Sequence, residues 1–174
     1  TSPAFMIEYL TGYSTRLRPG EVEVQFLRLD YIDPANGHLE DWWRAIYFPL
    51  ENCNSVIDNL QRTTFLPEAS LDKYLGEVYF LRAWYYFQGV RIFGDIPLKT
   101  TPTTDLSNTK IPKASQDEIY QQIVADLLIA EQSGLPWTDG TGRVTLGAVK
   151  SLLAKTYLTM AGYPFQQTER YADA

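Results

Sequence analysis

Apolar residues recur at the helical period over much of the chain. Between residues 41 and 61 they form one stripe at spacings of three and four: Trp43, Ile46, Leu50, Cys53, Ile57 and Leu60. This spacing predicts an α-helix with one buried face. Pro49 lies inside the run and has no backbone N–H to donate, so a kink is expected near Ala45.

A second run, residues 71–93, is apolar on nearly every side of a helix: Leu75, Val78, Phe80, Leu81, Trp84, Tyr85, Phe87, Val90 and Phe93. A helix with this pattern is typically buried between neighbours. Trp84, Tyr85 and Tyr86 of this run, together with Trp43 on the first helix, are expected to pack in a core. Gly94 is well placed to end the helix, because glycine readily adopts the left-handed conformation of a C-terminal cap.

Two further helices have clear boundary signals. Ser115 and Glu118 form a capping-box pattern, in which each side chain accepts a hydrogen bond from an exposed backbone N–H. That helix should stop at the Gly-Leu-Pro sequence of residues 134–136. Thr145 is placed to cap the fourth helix, and Gly162 to end it.

The segments between these helices are rich in turn-forming residues. Residues 95–112 are rich in Pro, Thr and Asp and predict extended or looped chain, and the Asp-Pro-Ala-Asn-Gly sequence of residues 33–37 predicts a turn. Residues 21–26 fit either a strand or a helix, and the pattern does not choose between them.

The predicted fold is all-α, built from TPR-like helical hairpins within one domain over residues 1–174. Its expected parts are an irregular lead-in (1–39), a first hairpin (40–98), a loop (99–114), a second hairpin (115–162) and the start of a further helix (163–174). Leu81-x-x-x-Tyr85 is echoed by Leu153-x-x-x-Tyr157, a weak self-similarity typical of stacked hairpins. The chain begins without a leader and ends in what reads as another helix, so we expect a fragment of a longer protein.

Composition narrows the possible functions. The net charge is −6 and no Lys/Arg cluster offsets it, so nucleic acid is not an expected partner. Aromatic residues make up 14% of the chain, with 12 Tyr and 4 Trp. These side chains suit either a helical core or a surface that stacks sugar rings, and composition does not separate the two.

No catalytic constellation is evident in the sequence. The one histidine, His38, lies in the turn beside Gly37 and is expected to be exposed. Cys53 lies on the apolar stripe of the first helix, where a buried small hydrophobe is expected. Acidic pairs such as Glu21 and Glu23 have nothing that fixes their separation for glycoside hydrolysis. We therefore expect a protein that is not an enzyme and has no catalytic residue, cofactor or metal site.

Four ordered motifs carry a family resemblance. Residues 80–98 read Phe-Leu-Arg-Ala, then aromatics, then Phe-Gly-Asp-Ile-Pro-Leu, with Glu77 at an upstream acidic position. This segment resembles the signature stretch of SusD/RagB proteins. Residues 43–57, 115–127 and 143–158 resemble three more helices of the family in the same order, and the likeness covers about residues 42–165.

The resemblance implies an α-helical TPR-like scaffold, arranged as a right-handed superhelix, that forms part of a larger fold. It implies a lipid-anchored protein on the external face of the outer membrane, with an anchor absent from this chain. The implied ligand is an oligosaccharide, captured for import through a TonB-dependent (SusC-like) transporter. In this family the helices serve mainly as scaffold and transporter contact, and loops supply most ligand contacts.

Glycan recognition needs flat aromatic faces together with hydrogen-bonding side chains. The candidates are therefore residues in or beside loops: Tyr31, Asp33, Asn36, Trp42 and Trp137. Arg82 and Glu77 are expected to anchor loops rather than to contact ligand. Two alternatives stay open, a helical-repeat scaffold that binds only proteins and a peptide-binding (RagB-like) member of the family.

Overall fold

The computed structural model describes residues 24–26, 32–105, 107 and 110–174. Within them lie four long helices and one 3₁₀ turn: α1 (Gly37–Gln61), α2 (Glu68–Phe93), α3 (Gln116–Gln132), α4 (Leu146–Ala161) and Thr168–Tyr171. The prediction of an all-α fold is confirmed. The chain divides into two compact units, Thr1–Tyr47 and Phe48–Ala174. The pattern of residues 21–26 fits either a strand or a helix. Within that segment the structure describes residues 24–26, and they are helical.

The end of α2 and the boundaries of α3 and α4 follow the signals in the sequence, whereas α2 begins at Glu68, before the apolar run at residues 71–93. Ser115 and Glu118 form the predicted capping box of α3, and Thr145 Oγ1 accepts from Ala148 N at the start of α4. Gly94 follows α2 with a φ of 70°, a left-handed conformation that favours glycine. Helix α4 ends at Ala161, directly before Gly162.

Helix α1 begins earlier than the apolar stripe predicts. Asn36 Oδ1 accepts a hydrogen bond from His38 N at 3.0 Å, which is how a helix N-cap satisfies an exposed donor. His38 was expected to be an exposed turn residue, and it lies instead half-buried in the first helical turn. The helix continues through Pro49 to Gln61.

A two-residue antiparallel ladder closes the connection between α2 and α3. Strand β1 (Ile96–Pro97) pairs with β2 (Lys113–Ala114), with Ile96 opposite Ala114. Ile96 is fully buried. The ladder brings together the two ends of the loop that joins α2 and α3.

The core of the second unit lies between consecutive helices. Helix α2 packs most extensively against α3, α3 packs against α4, and α4 packs against the 3₁₀ turn. The largest fully buried apolar side chains are Tyr86, Phe87, Val90, Ile96, Ile119, Ile123, Leu127, Val149 and Met160. At Gly76 the C-terminal end of α3 comes so close that a Cβ would lie 2.5 Å from Ser133 Cβ. Glycine is thus required where α2 and α3 cross.

The expectation that Trp84 packs in the core is wrong. Trp84 is 42% exposed, and Leu81 and Tyr74 on the same helix are also exposed, whereas Tyr86 is buried as expected. Periodicity shows that α2 is apolar on more than one side, but only the packed neighbours determine which sides are covered. Within the described residues, no helix is both long and apolar enough to cross a membrane.

Candidate functional site

The turn before α1 carries two of the predicted sugar-binding residues, Asp33 and Asn36. Asn36 is buried, and its amide donates to Gln25 Oε1 at 2.9 Å while its oxygen caps α1. The same Gln25 oxygen accepts from Asp33 N at 2.9 Å, and the Asp33 carboxylate accepts from the backbone N–H two residues on at 2.8 Å. These bonds hold the turn in one conformation. They direct the Asn36 side chain inward and leave the half-buried Asp33 as the more accessible of the two.

Trp42 lies on the first turns of α1 and is half-buried. It packs against the buried Phe26, together with Ile32 and Leu39. Part of its indole ring therefore covers a small apolar cluster, and the rest is accessible. Tyr31, the fifth candidate, lies outside the described residues.

Trp137 occupies a closed loop between α3 and α4, well away from any helical stripe. It is 60% exposed, a high value for the largest apolar side chain. Two backbone hydrogen bonds close the loop: Leu146 N donates to Pro136 O at 2.8 Å, and Gly147 N donates to Trp137 O at 3.3 Å. The backbone of Trp137 is thus held in place while its ring faces solvent.

Arg143, near the other end of this loop, is seated on α2. Its Nε and Nη2 donate to the two carboxylate oxygens of Glu77 at 2.8 and 2.5 Å, and its guanidinium carbon lies 5.7 Å from the centre of the Tyr74 ring. This is a bidentate ion pair that also stacks on an aromatic face. The sequence predicted an anchoring role for Glu77, but not its partner, which lies 66 positions away.

A buried polar cluster joins α1, α2 and α3. The Arg82 side chain is 5% exposed and donates through Nε and Nη2 to both oxygens of the fully buried Asp126, at 2.8 and 2.7 Å. Its Nη1 donates to Asn54 Oδ1 at 3.0 Å and to Thr100 O at 3.1 Å. The prediction that Arg82 anchors a loop is confirmed by the bond to Thr100. Burial raises the pKa of the Asp126 carboxyl, and the bonds from Arg82 and Gln122 oppose that effect.

The start of the loop after β1 is held at several further points. The Tyr86 hydroxyl donates to Lys99 O at 2.7 Å and accepts from Lys99 N at 2.8 Å, and Asn54 Nδ2 also donates to Lys99 O. Glu51 accepts from Lys99 Nζ at 2.6 Å and from Thr103 N at 2.5 Å. Side chains of α1 and α2 therefore hold residues 99–103 in place.

The position of Cys53 indicates a structural role. It is 6% exposed on the buried side of α1, as its position on the apolar stripe predicts, and burial raises the pKa of its thiol to about 11. The thiol is therefore protonated at neutral pH and is a poor nucleophile. Among the residues that the structure describes, no group of three or more His, Cys, Asp or Glu side chains is arranged to hold a metal ion.

Comparison with known proteins gives one consistent match. A family model described as SusD-like, starch-binding and associating with the outer membrane matches residues 14–158. A SusD-like protein of Bacteroides ovatus is 30% identical over 128 residues, which are 72% of this chain and 23% of that protein.

Solved structures agree with this match. The chain superposes on a SusD superfamily protein from Parabacteroides distasonis with a TM-score of 0.90 at 42% identity, covering 97% of this chain and 36% of that one. It also resembles a laminarin-binding SusD-like protein, with a TM-score of 0.75 at 26% identity over 86% of this chain and 31% of that protein. The chain thus spans about a quarter to a third of the length of these proteins.

Proposed function

The chain belongs to the SusD-like family, and from this premise we propose that it is part of a non-catalytic cell-surface protein that binds oligosaccharides. The observation that carries the proposal is the family match over residues 14–158, together with a structural relative that is described as binding laminarin. The proposed role is to capture glycan for import.

The arrangement of the described residues supports binding to sugars. A saccharide ring has an apolar face that stacks on an aromatic side chain, and hydroxyl groups that hydrogen-bond to polar side chains. Trp137 provides an exposed indole on a loop whose ends are fixed. Trp42 provides a partly accessible indole at the start of α1, and Asp33 lies in the turn that precedes this helix. We propose Asp33, Trp42 and Trp137 as ligand contacts, with Asn36 supporting the turn and Tyr31 retained as a candidate from the sequence.

The proposed partner is a TonB-dependent (SusC-like) outer-membrane transporter, and the proposed location is the external face of the outer membrane, with a lipid anchor outside this chain. The family description, which associates these proteins with the outer membrane, supports this location. In this arrangement the binding protein holds the glycan at the entrance to the transporter, and import requires no chemical change in the ligand.

One observation favours a second candidate function, a helical scaffold that binds proteins rather than sugars. Leu81 and Trp84 on α2 are 38% and 42% exposed, and exposed apolar side chains of this size are common at protein interfaces. A peptide-binding member of the family is the other alternative to glycan capture. Binding measurements separate these candidates from glycan capture.

The test is isothermal titration calorimetry of the full-length protein with laminarin, xyloglucan and starch oligosaccharides, after a glycan-array screen. Glycan capture predicts saturable binding to at least one oligosaccharide, and chromatography of the incubated sugars should show them unchanged. Tight association with the transporter and no binding to any glycan would support the scaffold instead. Release of shorter sugars from a polysaccharide would contradict the non-catalytic assignment.

A further inference from the structure

The loop from Trp137 to Leu146, called here the Trp137 loop, holds Trp137 together with residues that have no role in the function proposed above. Gly147 N lies 3.3 Å from Trp137 O, so the two ends of the loop meet. The backbone from Arg143 to Gly147 can span at most about 14 Å even when fully extended. Arg143 is therefore confined to the neighbourhood of Trp137, whatever path the intervening residues take.

The position of Gly147 keeps this closure tight. A Cβ at residue 147 would lie 3.1 Å from the Trp137 carbonyl oxygen, closer than side chains normally approach. The loop is fastened a second time by the bidentate pair between Arg143 and Glu77 on α2. Two independent attachments hold the loop in place, so ligand binding would cost little loop-ordering entropy.

The charges around Arg143 indicate which ligands the loop would accept. The Arg143 side chain is 53% exposed, and both oxygens of Glu77 are already engaged with it. Asp139 lies in the same loop, and its carboxylate accepts from Thr141 N at 2.6 Å. The carboxylates of Glu77 and Asp139 thus outnumber the single guanidinium of Arg143. These three side chains carry no net positive charge that would attract an acidic sugar.

We propose that the Trp137 loop, together with Tyr74 and Glu77 of α2, forms a subsite for an uncharged saccharide. The proposal rests on the glycan-binding function inferred above and names both the contacts and the ligand class. The Trp137 indole stacks on the apolar face of one sugar ring. The exposed edge of the Arg143 guanidinium, which retains N–H groups beyond those bonded to Glu77, donates to sugar hydroxyls.

Glu77 acts in this subsite as a specificity residue. Pairing with Glu77 cancels the charge of Arg143 but leaves its hydrogen-bond donors available, so hydroxyl groups are accepted and carboxylates gain no net attraction. An uronic acid unit would in addition meet the charge of Asp139. Neutral oligosaccharides are therefore expected to bind in preference to acidic ones.

The test compares full-length variants by isothermal titration calorimetry. The probes are neutral laminarin, xyloglucan and starch oligosaccharides, together with an acidic oligogalacturonate. Trp137→Ala is expected to raise the Kd for the neutral ligand by about three- to tenfold, the range for loss of one aromatic stacking contact. Phe65→Ala is the matched control, because Phe65 is an aromatic residue outside the loop and is 83% exposed. The Kd of this variant for the neutral ligand should equal that of the unaltered protein. Circular dichroism verifies that both variants fold.

Glu77→Gln tests the ligand class separately. It removes the compensating charge, so binding of oligogalacturonate should become detectable or tighten and should weaken again as salt is added. Oligogalacturonate binding that is unaffected by this change would overturn the assignment to uncharged sugars.

The outcomes distinguish the two proposals. If the unaltered protein binds an oligosaccharide and Trp137→Ala binds it equally well, the subsite is refuted while the proposed function stands. If the unaltered protein binds none of the sugars, both proposals fail. A loss of affinity in Trp137→Ala with none in Phe65→Ala supports the subsite.

Discussion

Replacing Arg82 by methionine is the most informative perturbation of the buried polar cluster. Methionine has a similar length and an apolar, flexible side chain, so it fills most of the space without introducing a new hydrogen bond. The change leaves the fully buried Asp126 without its bidentate partner, and Gln122 Nε2, at 2.8 Å, remains as a hydrogen-bond donor. Thr100 O and Asn54 Oδ1 each lose a donor as well.

The expected cost follows from the burial of both partners. Removing one member of a buried ion pair leaves an uncompensated charge and typically destabilises a protein by about 3–5 kcal/mol. The free energy of unfolding of a domain is about 5–15 kcal/mol, so Arg82→Met should remove a large share of it. Replacing both partners by apolar residues is often nearly neutral for the pair itself. The double variant Arg82→Met/Asp126→Leu should therefore lose only about 2 kcal/mol, roughly 1 kcal/mol for each of the two acceptors left without a donor.

The assay is urea unfolding of the full-length protein, combined with hydrogen exchange of the peptides that cover α2 and residues 95–105. Arg82→Met should lower the unfolding midpoint and speed exchange around Thr100, whose carbonyl loses its contact with α2. Arg91→Met is the matched control, because Arg91 is an exposed arginine on the same helix that stacks on Phe87. Arg91→Met should lower the free energy of unfolding by no more than about 1 kcal/mol.

Two results would refute this reasoning. The first is a loss below about 1 kcal/mol in Arg82→Met, which would mean that the ion pair is not the main stabilising feature of the cluster. The second is a double variant no more stable than Arg82→Met, because an unpaired Asp126 carboxylate could then not be the source of the cost.

Three further predictions concern other parts of the second unit. Gly76→Ala should destabilise the α2–α3 crossing by about 1–3 kcal/mol or more in urea unfolding, whereas Gly140→Ala, which meets nothing within 4 Å, should be tolerated. The pKa of Glu51 lies below its usual 4.5, because hydrogen bonds from Lys99 and Thr103 outweigh the opposing effect of burial. A depressed folded-state pKa stabilises the fold above pH 4.5 and less at lower pH. The hydrogen-exchange protection factors of residues 99–103, which are corrected for the slower intrinsic exchange at low pH, should therefore fall as the pH drops below 4.5, and constant protection factors would contradict this prediction. Cys53, with its pKa raised to about 11, should react with a thiol reagent only after unfolding, and rapid labelling in native buffer would show that the site is open.

Local features of the fold could be predicted from the sequence because their signals lie within a few neighbouring residues. The period of apolar residues gave the four helices, Ser115 and Thr145 marked two of the helix starts, and Gly94 marked an end. The start of α1 was misjudged, because Asn36 caps the helix before its apolar stripe begins. For the candidate site, the reasoning that glycan-binding aromatics lie in loops led to Trp137, which is exposed as that hypothesis requires.

The sequence by itself thus determined the helical elements, their caps and the family to which the chain belongs, because periodicity, capping and ordered motifs are read along the chain. Only the tertiary structure decided which faces are covered and which distant residues meet. Arg82 and Asp126 are 44 positions apart, and Arg143 and Glu77 are 66 apart, so no local pattern predicts either pair. The exposure of Trp84 was decided in the same way, since an apolar residue on a helix is buried only where another element packs against it.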